Sequence, residues 1–339
     1  MNNTVIATVS AAVVDALASS IAGEKPTSGG CTGFAVLPRA VAVLTLARAC
    51  SVNEAAMSSC YSGFALSVAV AATVAQSVIP FTGLERPDKV VVDSAGNVYI
   101  TDITPGEGST GNRVIKWEAA SKTQKTLPFT RSTLLAGPAG AVWVNGDGPL
   151  HGRLLKLAPL SDQQTALPMP YIGIRGDILA LDDAGNVYGV TGGGEVPGGG
   201  CCIPIHVVKD APGSTAPEVM PFQDVDGLGG MATDSAGTLY VGDEVLKRVL
   251  ALAPGATSPK ELPFTDLQSV SDVAVDSAGD VYVVDGQRNQ VMRLSAGADK
   301  PTVLPFDGLN DPISVAVTEA GEVYVVDGGN HRIVELKGP

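Results

Sequence analysis

The residues able to do acid–base, nucleophilic or metal chemistry are few in this sequence. Histidine occurs three times, at His151, His206 and His331. Neutral imidazoles brought together could hold a divalent ion or act as an acid–base pair. Cysteine occurs five times, at Cys31, Cys50, Cys60, Cys201 and Cys202. None of these forms a C-x-x-C pair, so structural zinc has no support. Cys201 and Cys202 are adjacent and end the insertion GGGEVPGGG (192–200). Such a pair is either a strained, labile disulfide ring or two free thiols. No D-x-D-x-D-G loop offers a calcium site. No G-x-G-x-x-G-x-V loop, H-R-D-x-x-x-x-N segment or D-F-G occurs, so phosphoryl transfer has no apparatus.

The elements that must position these residues repeat. DSAGNVYITD (93–102) returns as GPAGAVWVNG (137–146), DDAGNVYGVT (182–191), DSAGTLYVGD (234–243), DSAGDVYVVD (276–285) and TEAGEVYVVD (318–327). The glycines Gly96, Gly140, Gly185, Gly237, Gly279 and Gly321 are 44, 45, 52, 42 and 42 residues apart. A second element, [LIM]-P-[FM], ends at Phe81, Phe129, Met169, Phe222, Phe264 and Phe306. A third, R-[VLI]-[LIV]-x-[LW], begins at Arg113, Arg153, Arg248 and Arg332, with His206 and Gln290 in the same place in the other copies. Short β-branched runs separated by Gly, Asp, Asn and Pro read as antiparallel strands joined by tight turns. Four strands in some 42 residues, six times over, predict an all-β chain folded as a six-bladed β-propeller. VIPF (78–81) precedes the first copy and the last copy stops after RIVELK (332–337). The expectation is that these two ends pair and close the ring.

The pattern [DE]-x-[AS]-G-x-[VL]-Y-[VI]-x-D followed by N-x-R-[VI]-[VI]-x-L resembles the NHL-repeat propellers. With the LPF element it is most similar to the extracellular sensor domain of mycobacterial receptor-type Ser/Thr kinases of the PknD kind. The resemblance spans residues 78–339. It is sharpest at VLPFDGLNDP (303–312) and VYVVDGGNHRIVEL (323–336), and weakest in copy two, where Trp143 replaces tyrosine, and in copy three, with its insertion. It implies a ligand sensor or protein-binding platform, here without the kinase half. Some propellers of this kind are metal-dependent lyases, so that alternative stays open.

The charge follows the same boundary. The formal net charge is −13, and residues 1–77 sum to zero, so all of it lies in 78–339. An acidic disc excludes a nucleic-acid partner, which needs a positive field against phosphate. Residues 1–60 are an Ala/Val/Ser-rich leader of undefined fold, with helix as one reading. YSGFALSVAVAATVAQSVI (61–79) lacks charge and nears the ~20 residues that span a bilayer. Residues 61–77 therefore read as a transmembrane or signal-anchor segment, a cleaved signal, or a segment with no membrane role. Arg39 and Arg48 upstream would orient an anchor with the propeller outside.

Subtracting the repeat leaves four departures: TPGEGSTGN (104–112), NGDGPLHG (145–152), TGGGEVPGGGCCIPIH (191–206) and DEVLKR (243–248). All are connections between second and third strands and crowd one rim. Loops on a rigid scaffold carry binding, so the candidate binding residues are Glu107, Asn112, Asp147, His151, Glu195, His206, Glu244 and His331. Asp102, Asp243, Asp285 and Asp327 recur at the ends of second strands and are expected to bond loop amides. Tyr99, Trp143, Tyr188, Tyr240, Tyr282 and Tyr324 are expected to pack between blades. No catalytic residue, metal or cofactor is expected. The reading is an extracytoplasmic, membrane-tethered or secreted, monomeric binding or sensor module for an unknown ligand or protein. The alternative is a metal-dependent lyase or lactonase-type hydrolase.

Overall fold

In four of the six copies the turn is built by one carboxylate, and that motif explains why these residues form hairpins. In the computed structural model, Asp93 Oδ1 accepts the amides of Ala95 and Asn97, and its Oδ2 accepts the Asn97 side chain and the Tyr99 hydroxyl. Asp182 repeats all of this with Asn186 and Tyr188, and Asp234 and Asp276 repeat the two amide bonds and the hydroxyl bond with Tyr240 and Tyr282. The glycine three residues after each aspartate has positive φ, +77° at Gly96 and +83° at Gly279, which an L side chain resists. Burial and the aspartate raise the pKa of Tyr188, Tyr240 and Tyr282 well above the ordinary phenol range. The aromatic ring is thus a neutral hydrogen-bond donor fixed in place.

The structure describes residues 75–104, 112–130, 133–137, 140–146, 153–157, 164–166, 178–191 and 205–338, together with two short strands in the leader. Six four-stranded antiparallel sheets follow one another. Blade 1 comprises Pro87–Val92, Val98–Ile103, Asn112–Glu118 and Thr123–Thr130. Blade 2 comprises Thr133–Gly137, Ala141–Gly146, Arg153–Leu157 and Gln164–Ala166. Blade 3 comprises Ile178–Leu181, Val187–Thr191, His206–Asp210 and Glu218–Val219. Blade 4 comprises Leu228–Thr233, Leu239–Asp243, Arg248–Leu252 and Lys260–Glu261. Blade 5 comprises Asp272–Val275, Val281–Asp285, Gln290–Leu294 and Thr302–Val303. Blade 6 comprises Pro312–Val317, Val323–Asp327, Arg332–Lys337 and, as its outer strand, Ala75–Ile79. The first strands neighbour one another in a closed ring.

The core is divided into six apolar clusters, one between each pair of neighbouring blades. Tyr99 packs with Leu134 and Val142 of blade 2, and Tyr282 with Val315 and Val325 of blade 6. The recurrent phenylalanines join the same clusters. The aromatics therefore pack between blades, as the repeat predicts.

Ring closure also follows the prediction, through a strand at Ala75–Ile79 in place of 78–81, with Pro80 and Phe81 beyond its end. Ala75–Ile79 pairs with Ile333–Lys337, setting Ser77 opposite Glu335 and Ile79 opposite Ile333. Glu335 accepts hydrogen bonds from the hydroxyls of Ser77 and Tyr324. In this copy the turn aspartate is Thr318, so the Tyr324 hydroxyl turns to Glu335 instead. Burial pushes the Glu335 carboxyl up, but the bonds from Tyr324, Ser77 and Lys337 outweigh it and hold the pKa below the ordinary value. A carboxyl depressed in this way stabilises the fold above its unfolded pKa of about 4.3, and that stability is lost as pH falls through the folded value. Glu335→Gln should therefore lower stability at pH 7 and do so progressively less toward acid pH, as read from urea melts. A penalty that does not change with pH would refute this.

Blade 2 lacks the turn carboxylate. Gly137 takes its place and Trp143 replaces tyrosine, leaving the buried indole Nε1 without a partner. A Cβ at Gly137 would lie 2.4 Å from that nitrogen, so the larger ring fills the space of the missing carboxylate. Gly137→Ala should cost about 1–3 kcal/mol by overpacking. Gly137→Asp with Trp143→Tyr should restore the arrangement of the other blades and melt above either single variant. Single variants as stable as the pair would overturn this account.

Met1–Thr73 form a unit separate from Val74–Pro339. Its described residues are two strands, Ala42–Thr45 paired antiparallel with Ser67–Val70. Of the segment 61–77, residues 67–70 thus lie in this pair and 75–77 in the closing strand. Among the described residues no helix is long and apolar enough to cross a membrane.

Candidate functional site

Strand direction decides which side chains can meet. In blade 6 the start of the first strand lies opposite the end of the second, Pro312 against Asp327, and Asp327 lies opposite Arg332 at the start of the third. The starts of first strands, the second-to-third connections and the fourth-to-first connections therefore share one face of the disc.

That face is held by repeated clamps. Asp102, Asp243, Asp285 and Asp327 are fully buried. Asp102 accepts the amides of Glu85 and Arg86, Asp285 those of Gln268 and Ser269, and Asp327 that of Asn310. Arg113, Arg248 and Arg332 pair with the aspartates of their own blades. They also donate to the carbonyls of Gly83, Asp224 and Gly308 on the incoming connection. These carboxylates are committed to the scaffold, as their repetition predicts.

The eight candidate binding residues divide. Glu107, Asp147, His151 and Glu195, and the pair Cys201 and Cys202, lie outside the described residues. Asn112 begins the third strand of blade 1, and His206 begins that of blade 3, exposed. Glu244 and His331 are exposed in the connections of blades 4 and 6. The four share the face but occupy four blades. His331 has φ +50°, matching Asn289 at +53° and Lys247 at +54° in the equivalent turns. Its position is set by a left-handed turn residue that the repeat requires, a conformation in which histidine is enriched.

The structure brings together a different group. Lys89 Nζ lies 2.7 and 2.6 Å from the two carboxylate oxygens of Asp272. Ser314 Oγ donates to Asp272 Oδ2 at 2.7 Å and itself accepts the Val90 amide. The amides of Val273 and Val315 complete the set of donors to Asp272. Lys89, Asp272 and Ser314 belong to blades 1, 5 and 6, so the ion pair reaches across an intervening blade. Only side chains aimed at the axis can do this, which places the clasp in the mouth of the central channel. The Asp272 side chain is 4% exposed and that of Lys89 28%. Gly230 of blade 4 completes the wall: a Cβ there would stand 2.6 Å from Asp272 Oδ1.

These residues hold one register position, four ahead of the turn residue, filled in chain order by Lys89, Thr133, Ile178, Gly230, Asp272 and Ser314. A search of the innermost strands for histidine and glutamate passes over it. The signal was a position that changes in every copy inside otherwise uniform strands: KVVVD, DVAVD, SVAVT. Chemically the group suits neutral locking better than metal binding. Its single carboxylate already receives an ammonium, a hydroxyl and two amides, and the other positions add no anion. Among the described residues no group of three His, Cys, Asp or Glu could hold a metal ion.

Comparison with known proteins agrees with this architecture. The family model described as NHL repeat matches residues 309–336. No curated protein matches the chain. Among solved structures, a gluconolactonase from Xanthomonas campestris is 14% identical with a TM-score of 0.55, covering 78% of this chain and 90% of its own. A streptogramin B lyase is 13% identical with a TM-score of 0.53, covering 78% and 97%. A calcium-binding regucalcin from Agrobacterium tumefaciens is 14% identical with a TM-score of 0.53, covering 78% and 94%. At such identities the likeness is one of fold. The chain is a six-bladed β-propeller with an NHL repeat in its last blade.

Proposed function

We propose that the propeller is a binding module that presents the clamped face to a ligand or protein, in the manner of an extracytoplasmic sensor domain. The observation that carries this reading is the channel mouth. Its one buried carboxylate is saturated by donors from three blades, leaving no free base or cation ligand there among the described residues. Sequence variation is instead concentrated in the second-to-third connections around the mouth, beside fourth-to-first connections that the Asp–Arg clamps of blades 1, 4 and 6 hold in place. Rigid presentation lowers the entropy lost on binding. The rival, a metal-dependent lyase or lactonase-type hydrolase, draws support from the activities named for the structural neighbours.

Two measurements separate them. Lactone hydrolysis and streptogramin cleavage are assayed with calcium, magnesium or zinc added, and melting is followed against each metal. A binding module shows neither turnover nor a metal-dependent shift; turnover abolished by Asp272→Asn would establish the rival. Protease treatment of intact cells expressing the chain should digest the propeller from outside. A fully protected propeller would sink the extracytoplasmic part of the proposal.

A further inference from the structure

One departure from the repeat on this face is not explained by folding. Blades 5 and 6 turn between their second and third strands through Gly286–Arg288 and Gly328–Asn330. Blade 4 uses Glu244, Val245, Leu246 and Lys247 there. Val245 and Leu246 are 52% and 49% exposed and belong to none of the inter-blade cores. Large apolar side chains left half in water forgo much of their burial energy, so core formation does not account for them.

The turn is nevertheless rigid. Leu246 donates its amide to Asp243 Oδ1, Glu244 donates to the Gly227 carbonyl, and Lys247 has φ +54°. Val245 lies over Gly227, where an added Cβ would meet its Cγ2 at 2.9 Å. The connection bearing Gly227 also carries Asp224 and Asp226, both exposed like Glu244; Lys247 is the one cation of the turn itself.

We infer that the Val245–Leu246 tip anchors a docking surface for a polypeptide segment carrying an apolar side chain beside lysine or arginine. The inference rests on the reading that this face binds a partner, and names the partner's class. Glu244, Asp224 and Asp226 attract a basic segment and repel nucleic acid or an anionic lipid surface. Two preordered apolar side chains supply the small desolvated centre on which interface energy concentrates.

The test uses two short fluorescent peptides, one alternating leucine with lysine and one leucine with glutamate, titrated into the full chain at low and high salt. The lysine peptide should bind, and more weakly at high salt. Val245→Ser with Leu246→Ser should weaken it about tenfold without moving the melting temperature. Glu244→Gln with Asp226→Asn should flatten the salt dependence. The inference is overturned by no binding, by undiminished binding to the serine variant, or by preference for the glutamate peptide or for phosphatidylglycerol vesicles. Hydrogen exchange then tells the two readings apart. Protection confined to other connections of the face removes the tip and keeps the face, whereas protection only at the opposite turns, such as 94–97 and 277–280, removes both.

Discussion

Asp272→Ala should melt far below the parent, because it strips the channel clasp of the one group that all its donors share. Lys89 would then be left without its counter-ion and Ser314 without its acceptor. Removing one partner of a buried pair costs about 3–5 kcal/mol. In a propeller of this size that corresponds to roughly 5–9 °C. Lys89→Met should cost less, about 2 kcal/mol, since the Asp272 carboxylate it leaves behind keeps its hydroxyl and two amide donors. The decisive variant is Lys89→Met with Asp272→Asn. It leaves no uncompensated charge, so its loss should be clearly smaller than the sum of the single losses. Additive losses in urea melts would mean that the pair is incidental to the ring.

The other large effect concerns closure. A chain beginning at Thr82 lacks Ala75–Ile79, leaving Arg332–Lys337 as an unpaired edge. It also loses Ile79 and Phe81 from the cluster between blades 6 and 1, where Phe81 meets Trp117 at 5.9 Å. Truncating a fully buried side chain costs about 2–5 kcal/mol; these two are half-buried, and a whole ladder is lost with them. The expected result is a fall of at least 10 °C in melting temperature, accompanied by self-association through the open edge. A monomeric variant that melts like the parent would show that the outer strand is dispensable. Ile79→Ala provides a milder version in which the ladder is kept and only the apolar contact is lost.

How far the sequence discloses this depends on whether a residue serves the repeat or departs from it. Asp276, Gly279 and Tyr282 act within a few neighbours in the chain, so repetition alone reveals their role. Closure was legible because VIPF is a fourth strand without a blade of its own. Lys89 and Asp272 were not, because their partnership joins positions 183 residues apart and depends on which blades face each other across the axis. No local spacing encodes that relation. The histidines show the reverse error. Rarity made His331 conspicuous, yet its place is fixed by the left-handed turn that Asn289 and Lys247 also adopt.

The pairing of Ser77 with Glu335 spans 258 residues, and this orders events during synthesis. The outer strand of blade 6 emerges from the ribosome before the rest of the propeller, and its partner emerges 258 residues later. At about 5–20 residues per second, the early strand waits on the order of ten seconds or more for its edge. Throughout that interval the nascent chain carries both an unpaired strand and a growing open arc of blades. The ring closes only once Arg332–Lys337 is available, so a product stalled before that strand would never hide its edge.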